Sequence, residues 1–278
     1  MTRIAVIGGG KIGEALVSGL LENGFATKDL VVAEKFDERR EELAREYAIR
    51  VTDSTPDAVE GADVIVVAVK PNDVDAVVTA LAAAAGDSAD EQIIVSLAAG
   101  IPTVRYETKL PAGSPVVRVM PNTPMLVGEG ASVMAAGRYV KQQHLDTVRE
   151  ILAAVGTVSV VPESQIDAVT AVSGSGPAYF FLVAEAMIDA GVALGLTRAV
   201  ATDLVVQTMT GSAAMLAKSG DNAADLRAAV TSPGGTTAAA IRELERGGVR
   251  TAFYEALEAA KRRSAQLGAV ADQPSAAS

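Results

Sequence analysis

The fold is decided by Arg3-Ile4-Ala5-Val6-Ile7-Gly8-Gly9-Gly10-Lys11-Ile12-Gly13. The short run of Ile, Ala and Val reads as a buried strand. It feeds directly into a G-x-G-x-x-G loop that opens a helix over Lys11 to Asn23, ended by Gly24. Each glycine has a separate task there. Gly8 permits the tight turn, Gly10 lets the backbone approach a pyrophosphate, and Gly13 lets the helix pack on the strand. The helix start contributes unpaired N–H groups and a partial positive charge. Glycines alone are a weak signal. With a strand before and a helix behind, Gly8, Gly9, Gly10, Lys11, Ile12 and Gly13 are expected to bind a dinucleotide.

Outward from this loop, β-branched runs alternate with helical segments. Strands are expected at Arg3–Ile7, Leu30–Ala33, Val64–Val69, Ile93–Leu97 and Val116–Met120, with late edge strands at Ala131–Ala135 and Val158–Val161. A charged helix over Asp37–Tyr47 has Asp37 as its expected cap. Such alternation predicts βαβ units and an α/β fold with a Rossmann-type, doubly wound parallel sheet. The character changes near Pro162. Helices are expected at Ser164–Val172, Ala178–Leu194, Arg198–Lys218, Asp221–Val230, Thr236–Arg246 and Val249–Leu267, with Thr197 and Asp221 as caps and a break at Gly247-Gly248. The expected organisation is a dinucleotide-binding domain over 1–162, an all-helical domain over 163–270 and a flexible tail over 271–278.

Composition narrows the chemistry. Of 278 residues, 49% are hydrophobic and 4% aromatic, so the core is aliphatic, which suits a helix-covered parallel sheet. The formal net charge of −10 disfavours nucleic acid. The absence of cysteine removes disulfides, thiolate nucleophiles and cysteine metal sites. The lone His144 lies in a polar stretch and reads as a solvated helix residue, so no metal site is expected. The longest apolar stretch, Ala178 to Leu196, is interrupted by Glu185 and Asp189, which favours a buried or interfacial helix over a membrane span. The chain reads as cytoplasmic. The Ala178 helix is apolar nearly all round and must be covered on all sides. That predicts a homodimer through the helical domain; the alternative is burial between two domains of one chain.

Further cofactor contacts are expected at strand ends. Glu34 closes the second strand, where a carboxylate hydrogen-bonds a ribose 2′-hydroxyl and favours NADH. Lys35, Arg39 and Arg40 follow closely and are able to clamp a 2′-phosphate, or they form a solvated helix face. NADPH or NADH therefore stays open. Ala68, Val69, Lys70 and Pro71 end the next strand, where a loop covers the cofactor's ribose and phosphates, and Ala98 lies in a small-residue strand end that admits the nicotinamide. Pro121 and Asn122 follow the strand ending at Met120.

Two other loops open helices with small residues and hydroxyls: Ser173-Gly174-Ser175-Gly176-Pro177-Ala178-Tyr179, and Thr231-Ser232-Pro233-Gly234-Gly235-Thr236-Thr237. Backbone N–H groups and hydroxyls at helix starts suit a small carboxylate. Together with Gly8–Gly13, Ala68–Pro71 and Met120-Pro121-Asn122-Thr123-Pro124, they resemble the pyrroline-5-carboxylate reductase family over nearly the whole chain, and Ser232–Thr237 is the most specific match. The resemblance implies a Rossmann domain followed by an all-α dimerisation domain, higher oligomers built from such dimers, and NAD(P)H-dependent reduction of 1-pyrroline-5-carboxylate to L-proline, the last step of proline biosynthesis. It implies that the loop residues Ser232, Gly234, Gly235 and Thr236, with Ser175, hold the substrate carboxylate. It implies that Thr237, the catalytic candidate, also hydrogen-bonds the ring nitrogen.

The chemistry agrees with the residues. An imine nitrogen arrives protonated, so positioning matters more than a strong protein acid. Two other readings compete. A β-hydroxyacid dehydrogenase has a similar layout but usually carries a lysine on the helix after the serine-glycine loop, and Ala178 to Leu196 has none. A nucleotide-binding protein without catalysis is disfavoured by the intact loops around Ser175 and Thr237.

Overall fold

The computed structural model describes residues 2–85 and 92–271. The expected tail over 271–278 lies, from residue 272, outside the described residues. The chain divides into two compact units, one running to Ser175 and taking in the chain from Ala259 onward, the other comprising Gly176–Glu258.

The first unit is built on one eight-stranded sheet in the order β3-β2-β1-β4-β5-β6-β7-β8. Its strands are β1 Ile4–Ile7, β2 Leu30–Ala33, β3 Arg50–Thr52, β4 Val64–Val67, β5 Ile93–Ser96, β6 Val116–Met120, β7 Gly130–Ala136 and β8 Gly156–Val160. Strands β1 to β6 run parallel to one another, β7 runs antiparallel to β6, and β8 runs parallel to β7. The reversal has a simple cause. Only a short 3₁₀ segment, Thr123–Val127, joins β6 to β7, and a parallel return requires a longer crossover. The eight strands include all seven expected ones. The additional strand, β3, is three residues long and sits at the sheet edge, too short for periodicity to reveal.

The pleat sorts the core into two layers. Ile4, Val6, Val64, Val66, Ile93 and Val95 face one side, where they meet Leu16 and Leu20 of α1 (Lys11–Glu22) and Val148, Ile151 and Leu152. Ala5, Ile7, Ile65, Val67 and Ile94 face the other, against α3 (Thr55–Val59), α4 (Val74–Ala84) and α5 (Thr103–Glu107).

The first face is also covered by α2 (Asp37–Tyr47), through Leu43, and, after β7, by α6 (Gln142–Ala153), the helix that carries Val148, Ile151 and Leu152. Two expectations are corrected here. Asp37 is the first helical residue of α2 and not its cap; Phe36 occupies that position, and the Asp37 carboxylate pairs with Arg40. His144 is buried rather than solvated: its Nδ1 accepts the Lys141 N–H at 3.1 Å, closing the first turn of α6. Burial, with Lys141 nearby, lowers the His144 pKa.

The segment expected as one helix over Ser164–Val172 runs through three pitches. It is 3₁₀ over Glu163–Gln165, α-helical over Ile166–Val169 (α7) and a π-turn over Thr170–Gly174.

The second unit contains α8 (Gly176–Ala193), α9 (Arg198–Lys218), α10 (Ala223–Ala229) and α11 (Thr236–Arg246); α12 (Val249–Ala271) contributes to both units. No strand occurs after Val160 among the described residues. Thr197 caps α9 as expected, its side chain accepting the Val200 N–H. The cap of α10 is Asn222 and not Asp221; its Oδ1 accepts N–H groups from Ala224 and Asp225. Gly248, at φ 76°, breaks the chain between α11 and α12. Helices α8 and α9 pack closely, and a Cβ on Gly191 would stand 3.2 Å from that of Ala201. Much of α8 is left uncovered: Phe180, Phe181 and Leu182 are each at least 65% exposed in the single chain. By length and composition, the helical stretch Glu163–Ala193 is long and apolar enough to cross a membrane.

Candidate active site

The sheet order reverses between β1 and β4, and a crevice forms outside the carboxyl ends of strands at such a switch point. Gly8 leaves β1 there at φ +105°, a conformation that suits glycine. A side chain at Gly8 would also press on the Ala68 carbonyl, at 2.9 Å. The loop is tied to the sheet by Gly8 N–H to Ala33 O and Ala68 N–H to Ile7 O, both 2.8 Å. At Gly13, a Cβ would overlap the Gly8 carbonyl oxygen, so helix and loop touch backbone to backbone. Gly10 differs. It caps α1 without a side-chain partner, and a Cβ there would meet nothing within 4 Å. An open space bounded by a bare helix start fits a pyrophosphate. Lys11 is exposed and Ile12 half-buried beside it.

Glu34 ends β2 with both carboxylate oxygens engaged: Oε2 accepts the Gly9 N–H at 2.8 Å and Oε1 the Phe36 N–H at 3.1 Å. Of the two readings of Arg39 given above, the solvated helix residue is corrected: Arg39 is half-buried and all its nitrogens are engaged. Its Nε donates to the Gly9 carbonyl at 2.8 Å, and its other nitrogens pair with Glu14 at 2.6 Å and Glu42 at 2.5 Å. Burial opposes the Arg39 charge, but the hydrogen bonds to Glu42 and Glu14 outweigh it and raise the pKa. No linear motif announces this knot, because α2 must first fold back over the glycine loop.

The remaining cofactor candidates line the same sheet edge. Ala68 and Val69 are half-buried, Lys70 and Pro71 exposed, and Ala98 and Pro121 buried. Asn122 is a strut as well as a candidate: its Oδ1 accepts the Ala131 N–H at 2.8 Å, and its Nδ2 donates to the Ser173 carbonyl at 3.2 Å. The strut holds the serine-glycine turn beside β6, where a Cβ on Gly174 would overlap the end of the Met120 side chain. Ser175 completes the π-turn, its N–H donating to Thr170 O at 2.8 Å. The cofactor loops and Ser175 thus share the first unit. Neither the strut nor the π-turn had a signal that sequence reading picks up.

The other substrate candidates lie in the second unit. Gly234 turns at φ +69°, Gly235 N–H donates to Ser232 O at 3.0 Å, and α11 begins at Thr236 with no side-chain cap. A side chain on Gly235 would collide with Ser232 Oγ. Ser232 and Thr236 are exposed and Thr237 half-buried. An uncapped helix start flanked by hydroxyls can take an anion and orient a small polar ligand.

A glycine cradle at the switch point of a doubly wound sheet, followed by a helical unit, defines the class of nicotinamide-dependent oxidoreductases. Residues 3–100 match the family model described as NADP oxidoreductase, coenzyme F420-dependent, and residues 163–267 match pyrroline-5-carboxylate reductase dimerisation. The pyrroline-5-carboxylate reductase of Mycobacterium tuberculosis is 57% identical, over 96% of this chain and 97% of that one. Among solved structures, the pyrroline-5-carboxylate reductase from Coxiella burnetii superposes with a TM-score of 0.91 at 37% identity, over 96% of this chain and 98% of that one. The pyrroline carboxylate reductase of Plasmodium falciparum, with NADP bound, gives a TM-score of 0.85 at 29% identity over the same shares. The chain belongs to the pyrroline-5-carboxylate reductase family, and its helical region is the family's dimerisation domain.

Proposed function

We propose that this chain catalyses the NAD(P)H-dependent reduction of 1-pyrroline-5-carboxylate to L-proline, closing proline biosynthesis, with its work divided between a dinucleotide half over 1–162 and a helical half over 163–270. The observation that carries the reading is the start of α11, which has no side-chain cap, follows Ser232 and carries Thr236 and Thr237 in its first turn, in a chain of this family.

Gly8, Gly9, Gly10, Lys11, Ile12 and Gly13 bind the pyrophosphate through backbone N–H groups. Glu34 holds the adenine-side ribose. Ala68, Val69, Lys70 and Pro71 cover the ribose and phosphates, and Ala98, Pro121 and Asn122 border the nicotinamide end. When bound, the reduced nicotinamide supplies hydride to C5 of the ring. Ser175, Ser232, Gly234, Gly235 and Thr236 hold the substrate carboxylate. The Thr237 hydroxyl accepts from the iminium N–H and donates to the amine, which fixes the ring's orientation. The imine arrives with its proton, so these loops need no strong acid.

The chain works as a cytoplasmic homodimer through the helical domain, assembled into a larger homo-oligomer, without a membrane. In support, the exposed apolar face of α8 lies inside the segment matched to dimerisation, and Asp189 on that helix is ion-paired with Arg198 at 2.9 Å.

The test is a side-by-side assay of pyrroline-5-carboxylate reduction with NADH and NADPH, with β-hydroxyacids and NAD(P)+ as controls. Turnover of the imine but not of hydroxyacids is expected. Turnover of hydroxyacids alone would overturn the reading.

A further inference from the structure

The rim beyond β2 is crowded with charge, and the charge is already spoken for. Each of the three cations placed to meet a ribose 2′-phosphate has other partners. Arg39 uses its three nitrogens on Gly9 O, Glu14 and Glu42. Arg40 donates to the carbonyls of Glu34 and Lys35 at 2.9 and 3.0 Å and pairs with Asp37. Lys35 lies over the Phe36 ring, 5.1 Å from its centroid, and 3.7 Å from Asp73. Five carboxylates, Glu14, Glu34, Asp37, Glu42 and Asp73, stand among these three cations.

Glu34 is the carboxylate nearest the glycine loop. The N–H groups of Gly9 and Phe36 pin it in place, and each oxygen keeps a lone pair able to accept a hydroxyl proton. A hydroxyl presented there gains a charge-assisted hydrogen bond. A phosphate presented there meets a fixed like charge, with no guanidinium able to turn toward it unless an existing pair breaks.

We propose that this rim selects a free ribose 2′-hydroxyl and rejects a 2′-phosphate, which makes the enzyme NADH-selective, with Glu34 as the selecting residue and Arg39 withheld from the ligand by Glu14 and Glu42. The inference rests on Gly8–Gly13 being the dinucleotide cradle.

The test is direct binding to the full-length enzyme, without substrate, following the nicotinamide fluorescence of NADH and NADPH. Calorimetry with 5′-AMP and adenosine 2′,5′-bisphosphate isolates the adenosine end. NADH is expected to bind at least about ten-fold tighter than NADPH, since a like-charge juxtaposition costs several kcal/mol and each factor of ten is about 1.4 kcal/mol. The bisphosphate should bind no better than 5′-AMP. In Glu34→Gln, which keeps an acceptor for the Gly9 N–H, the gap between NADH and NADPH should narrow, and in Glu34→Gln/Glu42→Gln it should narrow further as Arg39 loses one of its two carboxylate partners. Equal or tighter NADPH binding by the parent enzyme would overturn the proposal. So would an unmoved ratio in a Glu34→Gln protein that melts like the parent. Gly10→Val separates the two failures. If it leaves both cofactors bound as before, the cradle reading fails; if it abolishes both while the parent ratio is near one, only the selectivity fails.

Discussion

The backbone of Gly13 lies against the carbonyl oxygen of Gly8, so closely that no side chain fits between helix α1 and the loop that precedes it. A Cβ at residue 13 would strike main chain, which cannot rotate away as a flexible side chain can. Gly13→Ala is therefore expected to destabilise the first unit by about 3 kcal/mol, in the range of overpacked core substitutions. Thermal or urea unfolding checks this, and an unchanged melting temperature would contradict the contact.

Gly10 makes the opposite case. Its backbone is extended, at φ −70° and ψ −178°, and a Cβ there meets nothing. Gly10→Val should fold normally yet fill the space a pyrophosphate needs. A rise of roughly two orders of magnitude in Kd for the dinucleotide, about 2.7 kcal/mol, is expected with an unaltered melt. Undiminished binding by calorimetry would remove Gly10 from the cradle.

Thr237 stands in the first turn of α11, half-buried, where its hydroxyl does not cap the helix. Removing it should cost turnover rather than stability. Thr237→Ala is expected to lower kcat/KM about ten- to a hundred-fold, the loss of one hydrogen bond to a charged group, with stability within about 0.5 kcal/mol of the parent. Steady-state kinetics with an unchanged rate would take the ring nitrogen away from this hydroxyl.

Asp75 on α4 joins α5 and the turn after it. Arg105 Nε donates to it at 2.9 Å, and Lys109 Nζ sits 2.7 Å away. Hydrogen bonds from Arg105 and then Lys109 hold its carboxyl below the ordinary 3.8. A lowered folded pKa means that the contribution is complete above the unfolded value and is lost as pH falls through the folded one. Asp75→Asn should cost about 1 kcal/mol or less at neutral pH, because the pair is partly exposed. The gap to the parent should close as the pH drops below 3.8. A gap of constant size in pH-dependent melts would mean that the ion pair is not its source.

The parallel core was readable because its strands are buried on both faces, so Ile4–Ile7 and Val64–Val67 appear as unbroken apolar runs. Helices α2, α9 and α11 carried their limits in charge pattern, cap or glycine. Edge strand β3 was missed, and helix α6 was read only as the helix that carries His144, without bounds. The first is too short to show a period. The second carries its apolar residues Val148, Ile151 and Leu152 amid polar ones, and buries a histidine that local composition marks as solvated.

For the site, the glycine loop and the Ser232–Thr237 turn are local backbone devices, spelled in consecutive residues, and a linear reading finds such devices. The order of elements and the family were written in the same way. What only tertiary structure decided is how distant side chains spend their hydrogen bonds: Asn122 on Ser173 and Ala131, Glu34 on Gly9, Arg39 on Gly9, Glu14 and Glu42. A polar group's role depends on which partners fold within about 3 Å of it. Sequence separation carries no information about that distance until the chain has closed.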